Sequence, residues 1–226
     1  MRRFPSDTLP SPHEQLLLEP EVSHHVLRVT LLPRGSQLVL FDGQGQSCVV
    51  ELIGAEDGQA LVQGLEPIVQ SPPEPEIHLI LGLPRKPALE RILRMATELG
   101  MTDFHPFIAR RSVAKGDKVD RWMKLVEQAA RQSGRDAVPT LHPLRPLQAH
   151  IDQLPSEDML KLVLQPGAPT ERPAPQSLAL LIGPEGGLDP SELDLAGAKG
   201  FSPMGLGRNV LRSDTAALAA LARLSF

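Results

Sequence analysis

Two glycine-rich stretches near the carboxyl end carry the residue types best suited to chemistry. The first is Gly183-Pro184-Glu185-Gly186-Gly187; the second runs Gly205-Leu206-Gly207-Arg208-Asn209-Val210-Leu211-Arg212-Ser213-Asp214-Thr215. Glycines in the first stretch permit positive φ and put no side chain in the way of a molecule approaching the backbone. Arg212 adds a cation to the second stretch. Glu185 and Asp214 are carboxylates that could accept a proton, with water as the alternative. Each feature also has a purely structural reading: a tight turn for 183–187, a helix cap for Ser213 or Asp214, an ion pair for Arg212. Two such stretches in close succession favour the chemical reading.

The flanking sequence supplies elements to position them. Residues 178–182 form an apolar run short enough for a buried strand. Asp189, Pro190 and Glu192 predict a capped helix start, with proline at the first helical position and a capping box. Residues 201–206 read as another strand, and a helix rich in alanine opens near Ser213 and Asp214. Both glycine stretches thus follow strands and lead towards helices, the arrangement by which open α/β sheets bind ligands at their carboxyl ends. Upstream, strands are expected at 77–83, 103–108 and 159–164, and helices at 88–99, 118–131 and 147–154, followed by a Pro-rich loop at 165–175. In the 88–99 helix, Leu89, Ile92, Leu93, Ala96 and Leu99 make one apolar stripe. Strands alternating with helices predict an α/β domain over 76–226. Residues 1–70 differ: short β-prone runs at 16–18, 37–41, 47–53 and 60–65 are separated by glycine turns, with a short helix at 24–29. They predict a small β-barrel, joined to the rest by a Pro-rich linker at 71–75.

Composition narrows the function classes. The chain of 226 residues has a formal net charge of −4, yet residues 84–145 carry a net +6. A basic segment within an acidic chain is the footprint of a phosphate-binding face. Neither the dinucleotide-binding G-x-G-x-x-G after a strand nor a P-loop is present. With a single cysteine, Cys48, no C-x-x-C and no H-E-x-x-H, no metal is expected, and the seven histidines are assigned to surface and turn positions. No leader-like apolar segment and no membrane-spanning run occur, so a cytoplasmic location is expected.

GPEGG followed by LGxxxLRSDTA resembles the carboxyl-terminal signature of the RsmE family of SPOUT (trefoil-knotted) RNA methyltransferases. The runs ATELGMTDFHPFIARRSV and WMKLVEQAARQSGRDAVP extend the resemblance through the middle of the chain. HHVLRVTLLPRGSQLVLFDGQG is similar to the family's amino-terminal PUA-like RNA-binding barrel. The resemblance implies methylation of N3 of a uridine in 16S ribosomal RNA of the small subunit, with S-adenosyl-L-methionine as cofactor, by a homodimer. It implies a knotted carboxyl-terminal segment, with Leu164, Gly183, Pro184, Glu185, Gly186, Gly187, Leu206, Gly207 and Leu211 at the cofactor. Arg212 and Asp214 would be catalytic, and Arg3, Arg28, Arg110, Arg111, Arg131, Arg135 and Arg208 would meet RNA. The chain departs from the family pattern at two places: LRSDT replaces LRTET, which makes Asp214 one methylene shorter, and Asn209 stands where arginine is usual, beside Arg208. Alternatives are methylation of another base or a ribose, a non-catalytic RNA-binding or ribosome-assembly protein of this fold, and a small-molecule enzyme. An intact glycine cradle weighs against the second, and the basic middle segment against the third.

Overall fold

The computed structural model describes residues 1–70, 75–112, 119–135, 137–155, 159–170 and 177–224. It forms two compact units, Met1–Pro73 with Ala130–Val138, and Glu74–Ala129 with Pro139–Phe226. Of the expected linker, residues 71–74 lie outside the described residues, as do 171–175 of the expected loop.

The first unit contains β1 (Arg2–Pro5), β2 (Gln15–Leu17), helix α1 (Pro20–His24), β3 (Gln37–Phe41), β4 (Gln46–Glu56), β5 (Gln59–Gly64) and β6 (Val69–Gln70). Helix α1 runs on into a π-helical turn, His25–Val29. The strands are ordered β1-β3-β4-β5-β2, with β6 on β4. Among the described residues no pairing joins β1 to β2, so hydrogen bonds do not close this sheet into a barrel. Alternation decides which face is buried: Leu38 and Leu40, Val50 and Leu52, Ala60 and Val62 point into one core with Phe4, Leu18 and Val26. Asp57 and Gly58, both at positive φ, form the two-residue turn between β4 and β5, as the local sequence foretells. Strand β1 was not foreseen, because Arg-Arg-Phe-Pro has no strand pattern of its own; its parallel register against Leu38–Phe41 of β3 creates it. Residues 130–138 join this unit through a bridge between Gln44 and Ala137 and the Val138 N–H donating to the Gly43 carbonyl at 3.2 Å.

The second unit begins with β7 (Glu76–Gly82), α2 (Lys86–Glu98), β8 (Asp103–Phe107), α3 (Val119–Ser133), β9 (Thr140–Leu141) and α4 (Leu147–Ile151). It continues with β10 (Leu160–Leu164), β11 (Ser177–Ile182), α5 (Pro190–Ala198), β12 (Ser202–Met204) and α6 (Ser213–Leu224). The strand order is β12-β10-β11-β7-β8-β9 and every pairing is parallel. The central strands β7 and β11 are apolar almost throughout, as strands covered on both faces must be. Leu89, Ile92, Leu93 and Ala96 of α2 are buried, matching the stripe read from the sequence. No helix among the described residues is long and apolar enough to cross a membrane.

The histidines depart most from expectation. His78, His105 and His150 are buried rather than at the surface or in turns, and they gather with His142. Parallel pairing is the cause. It sets His78 of β7 in register with Asp103 of β8, a juxtaposition that linear spacing does not reveal.

Candidate functional site

A cavity of about 650 Å³ opens where β10, β11 and β12 end, within the size range of pockets for small molecules and cofactors. Leu164, Ile182 and Met204, the last residues of those three strands, line it. Gly183, Pro184, Glu185 and Gly187 contribute from the loop after β11, and Leu206, Gly207, Leu211 and Arg212 from the loop after β12. Leu188, Leu193 and Val210 extend the apolar wall, while Gln165, Asn209 and Ser213 add polar groups. The buried Ser213 hydroxyl oxygen has no hydrogen-bond partner. In a wall otherwise rich in apolar side chains, it is a polar group with unspent hydrogen-bonding capacity.

Backbone packing gives the loops their shape. A Cβ on Gly205 would stand 2.2 Å from the Ala168 carbonyl oxygen, so only glycine lets the loops after β10 and β12 meet. The Gly205 N–H donates to the Pro169 carbonyl at 2.7 Å, and the Gln165 N–H to the Met204 carbonyl at 3.0 Å. The loop after β11 turns back on itself with the Gly187 N–H donating to the Pro184 carbonyl at 2.8 Å. A Cβ on Gly183 would press to 2.9 Å from Gly187 and Leu188 backbone atoms.

The capping box foreseen at α5 is present and does more than cap. One Glu192 carboxylate oxygen accepts from the Asp189 N–H at 2.7 Å, and the other from the Arg110 N–H at 2.9 Å. This buried side chain therefore ties the segment after β8 to the start of α5. Asp189 in turn accepts from the Ser191 N–H at 3.1 Å. The hydrogen bonds to Ser191, chiefly that from its hydroxyl, hold the Asp189 carboxyl below its ordinary range.

Residues 71–225 match the family model for an RNA methyltransferase domain. Ribosomal RNA small subunit methyltransferase E of Mycobacterium bovis is 35% identical over 235 residues, covering 96% of this chain and 88% of that protein. The protein of the same name from Synechocystis is 32% identical over 213 residues, covering 89% and 70%. The chain belongs to this RNA methyltransferase family. Among solved structures, ribosomal RNA small subunit methyltransferase E from Neisseria gonorrhoeae bound to S-adenosyl methionine superposes with a TM-score of 0.82 at 29% identity, covering 98% of this chain and 95% of that one.

Against this family membership, the expected site residues divide into three groups. Leu164, Gly183, Pro184, Glu185, Gly187, Leu206, Gly207, Leu211 and Arg212 all line the one cavity. Gly186 does not; it packs on Arg111, whose guanidinium donates to its carbonyl at 3.4 Å. Asp214 stands apart in another way. It lies buried at the start of α6, not in the cavity, where Arg91 donates to its Oδ2 from Nη2 at 2.6 Å and from Nε at 3.1 Å. Its other oxygen accepts from the Thr215 N–H at 2.9 Å. The Arg91 bonds, ahead of the backbone one, lower its pKa, which makes it a poor proton acceptor.

The arginines expected at RNA divide as well. Arg28, Arg110, Arg111, Arg131 and Arg208 are exposed. Arg135 is buried at 8% exposure, and Arg3 is half-buried with its guanidinium over the Phe41 ring, 5.7 Å from the centroid. Neither presents an open cation. Sequence reasoning missed Gln165, Asn209, Val210 and Ser213 in the cavity wall. For Val210 a signal existed, a large apolar residue in a polar loop; the fold leaves it 79% exposed.

Proposed function

We propose that this chain transfers the methyl group of S-adenosyl-L-methionine to N3 of a uridine in 16S ribosomal RNA. The observation that carries this reading is the cavity at the ends of β10, β11 and β12 with Arg212 in its wall. The residues present suit the cofactor. Apolar side chains flank exposed main chain, the glycine loops leave room for close approach, and the Ser213 hydroxyl lacks a partner. When bound, the cofactor supplies an electrophilic sulfonium methyl.

The chain's own residues have three tasks. The strand ends and the two loops hold the reactants in line, which supplies much of the rate of such a displacement. Arg212 is exposed, and among the described residues no carboxylate pairs with it. It is therefore available to offset the negative charge that uracil gains as N3 loses its proton. Glu185 is the carboxylate in the described cavity wall. One of its oxygens accepts from the Arg85 N–H at 3.1 Å and the other is left to receive that proton, directly or through water.

In this reading Arg28, Arg110, Arg111, Arg131 and Arg208 meet phosphate, and the first unit acts as a PUA-like grip on RNA around an extruded base. The carboxyl-terminal segment is threaded as a trefoil knot. The chain works in the cytoplasm as a homodimer, a state supported by the exposed Val210 beside the cavity. The test is methyl transfer from labelled S-adenosyl-L-methionine to small ribosomal subunits lacking the modification, with the product located by nucleoside analysis. N3-methyluridine at one position, lost in Arg212→Ala, supports the reading. A methylated ribose or another base would replace the substrate, and cofactor binding without transfer to any RNA would sink it.

A further inference from the structure

The histidine cluster lies along β7 and β8, with His105 midway along β8, whereas the cavity lies at the carboxyl ends of β10, β11 and β12. It is a built network whose protons can be assigned in sequence. The Pro106 carbonyl can only accept, so His150 donates to it from Nε2 at 2.8 Å. His150 Nδ1 is then bare and accepts from His105 Nδ1 at 3.3 Å. His105 Nε2 is bare in turn and accepts from His78 Nδ1 at 3.0 Å. The chain ends on a bare His78 Nε2. That atom is buried and has no hydrogen-bond partner.

What faces this lone pair is negative. Glu76 Oε2 stands 3.7 Å away and Asp103 Oδ2 3.8 Å away. His142 Nε2 holds the other Asp103 oxygen at 2.8 Å, which turns Oδ2 towards His78. The His142 ring stacks on His105 with centroids 3.9 Å apart, fixing both. A lone pair and two carboxylates aimed at one another repel unless a cation lies between them. The gaps are too wide for a shared proton, which needs about 2.7–3.0 Å between heavy atoms. They suit a metal ion. Ligands about 2.0–2.2 Å from a tetrahedral zinc stand about 3.4 Å apart, and wider angles at the metal extend this to about 3.8 Å.

We propose that His78 Nε2 and Asp103 bind one divalent first-row transition ion, of which zinc fits the imidazole and carboxylate donors best, with the exposed Glu76 side chain turning in as the third donor. His105 is the next donor at hand, since one ligand atom from each of His78, Asp103 and His105 lies within 4.8 Å of the others. Its place in the relay instead makes it the residue that fixes the His78 tautomer, as partners of metal-bound histidines do. Two carboxylates and neutral imidazoles balance the charge of a divalent ion. Because the ligands lie on adjacent strands away from the cavity, the ion would brace the sheet and take no part in methyl transfer.

The test uses the untagged full chain, stripped with chelator and titrated with Zn²⁺ by calorimetry, with bound metal counted by elemental analysis. One zinc per chain is expected, together with a rise in the thermal unfolding midpoint. Glu76 is exposed, so Glu76→Gln should fold normally and bind zinc at least tenfold more weakly. His78→Asn should lose binding and the thermal response. Should His78→Asn fail to fold by circular dichroism, Glu76→Gln decides alone. Absence of stoichiometric zinc, or unchanged binding in Glu76→Gln, overturns the proposal; a midpoint that responds to pH but not to zinc means that His78 takes a proton instead.

Discussion

Two regions of one parallel sheet are built on opposite plans. At the carboxyl ends of β10, β11 and β12, the chain uses glycine, bare main chain and an arginine with no carboxylate partner among the described residues to keep a cavity open. Along β7 and β8, it buries polar side chains against each other in a chain of hydrogen bonds. A site that must admit a ligand has to leave polar groups unsatisfied in its absence, and main chain held by packing does this without collapsing. A site that braces the fold can close over its own polar groups, provided that nearly all of them find partners. The difference follows from which residues the strands carry in each region, since the sheet pairing is parallel throughout.

Arg212→Ala should break the open end most severely. Removing a preorganised cation from a developing anion costs about 10²- to 10³-fold in turnover. Cofactor affinity, measured by calorimetry, should change by no more than about twofold, because the loops' backbone is untouched. If affinity falls as far as turnover, Arg212 holds the loop and does not act on the base.

Gly205→Ala comes next. A methyl group 2.2 Å from the Ala168 carbonyl oxygen forces the loops after β10 and β12 apart. Such overpacking costs about 1–3 kcal/mol of stability, and cofactor affinity should drop by about tenfold or more. A variant with unchanged affinity would show that the cavity tolerates movement of both loops. Glu192→Ala should cost about 1–2 kcal/mol in chemical denaturation, since it removes a cap and leaves the N–H groups of Arg110 and Asp189 without their acceptor. Equal stability in Glu192→Ala would mean that water replaces the carboxylate at no cost.

How far the sequence revealed these features depended on their distance along the chain. The α5 cap spans only four residues and its partners are local, so Asp189, Pro190 and Glu192 declared it. Apolar periodicity declared α2 and the buried central strands, because burial on fixed faces is what that periodicity records. Both glycine stretches were visible as residue types, and their meeting at one cavity followed from strand order. Features that need register were hidden: β1 exists only against β3, and His78 meets Asp103 only because the strands pair in parallel. The setting of Asp214 was hidden for a related reason. Its neighbour in sequence, Arg212, enters the cavity, but the first turn of α6 rotates Asp214 towards α2 and Arg91, which lies far away along the chain.

That contrast between Arg212 and Asp214 gives the smallest expected effect. The ion pair joins an exposed guanidinium to a buried carboxylate, with side-chain exposures of 56% and 12%. Solvent at Arg91 weakens such a pair, so Asp214→Asn should cost no more than about 1 kcal/mol at neutral pH. Asparagine keeps an acceptor for the Thr215 N–H, and turnover should fall less than tenfold; a loss as large as that of Arg212→Ala would return Asp214 to the reaction as its proton acceptor. The pH dependence has a definite sign. The Arg91 bonds lower the folded-state pKa of Asp214 from an ordinary value of 3.8, so the native state favours the carboxylate form. Its stabilising contribution is complete above that value and disappears as pH falls through the lowered one. Wild-type and Asp214→Asn stabilities, measured by urea unfolding, should therefore differ at pH 7 and converge as the solution is acidified below 3.8. A gap that stays constant down to that range would assign the loss to packing at the start of α6 and not to charge.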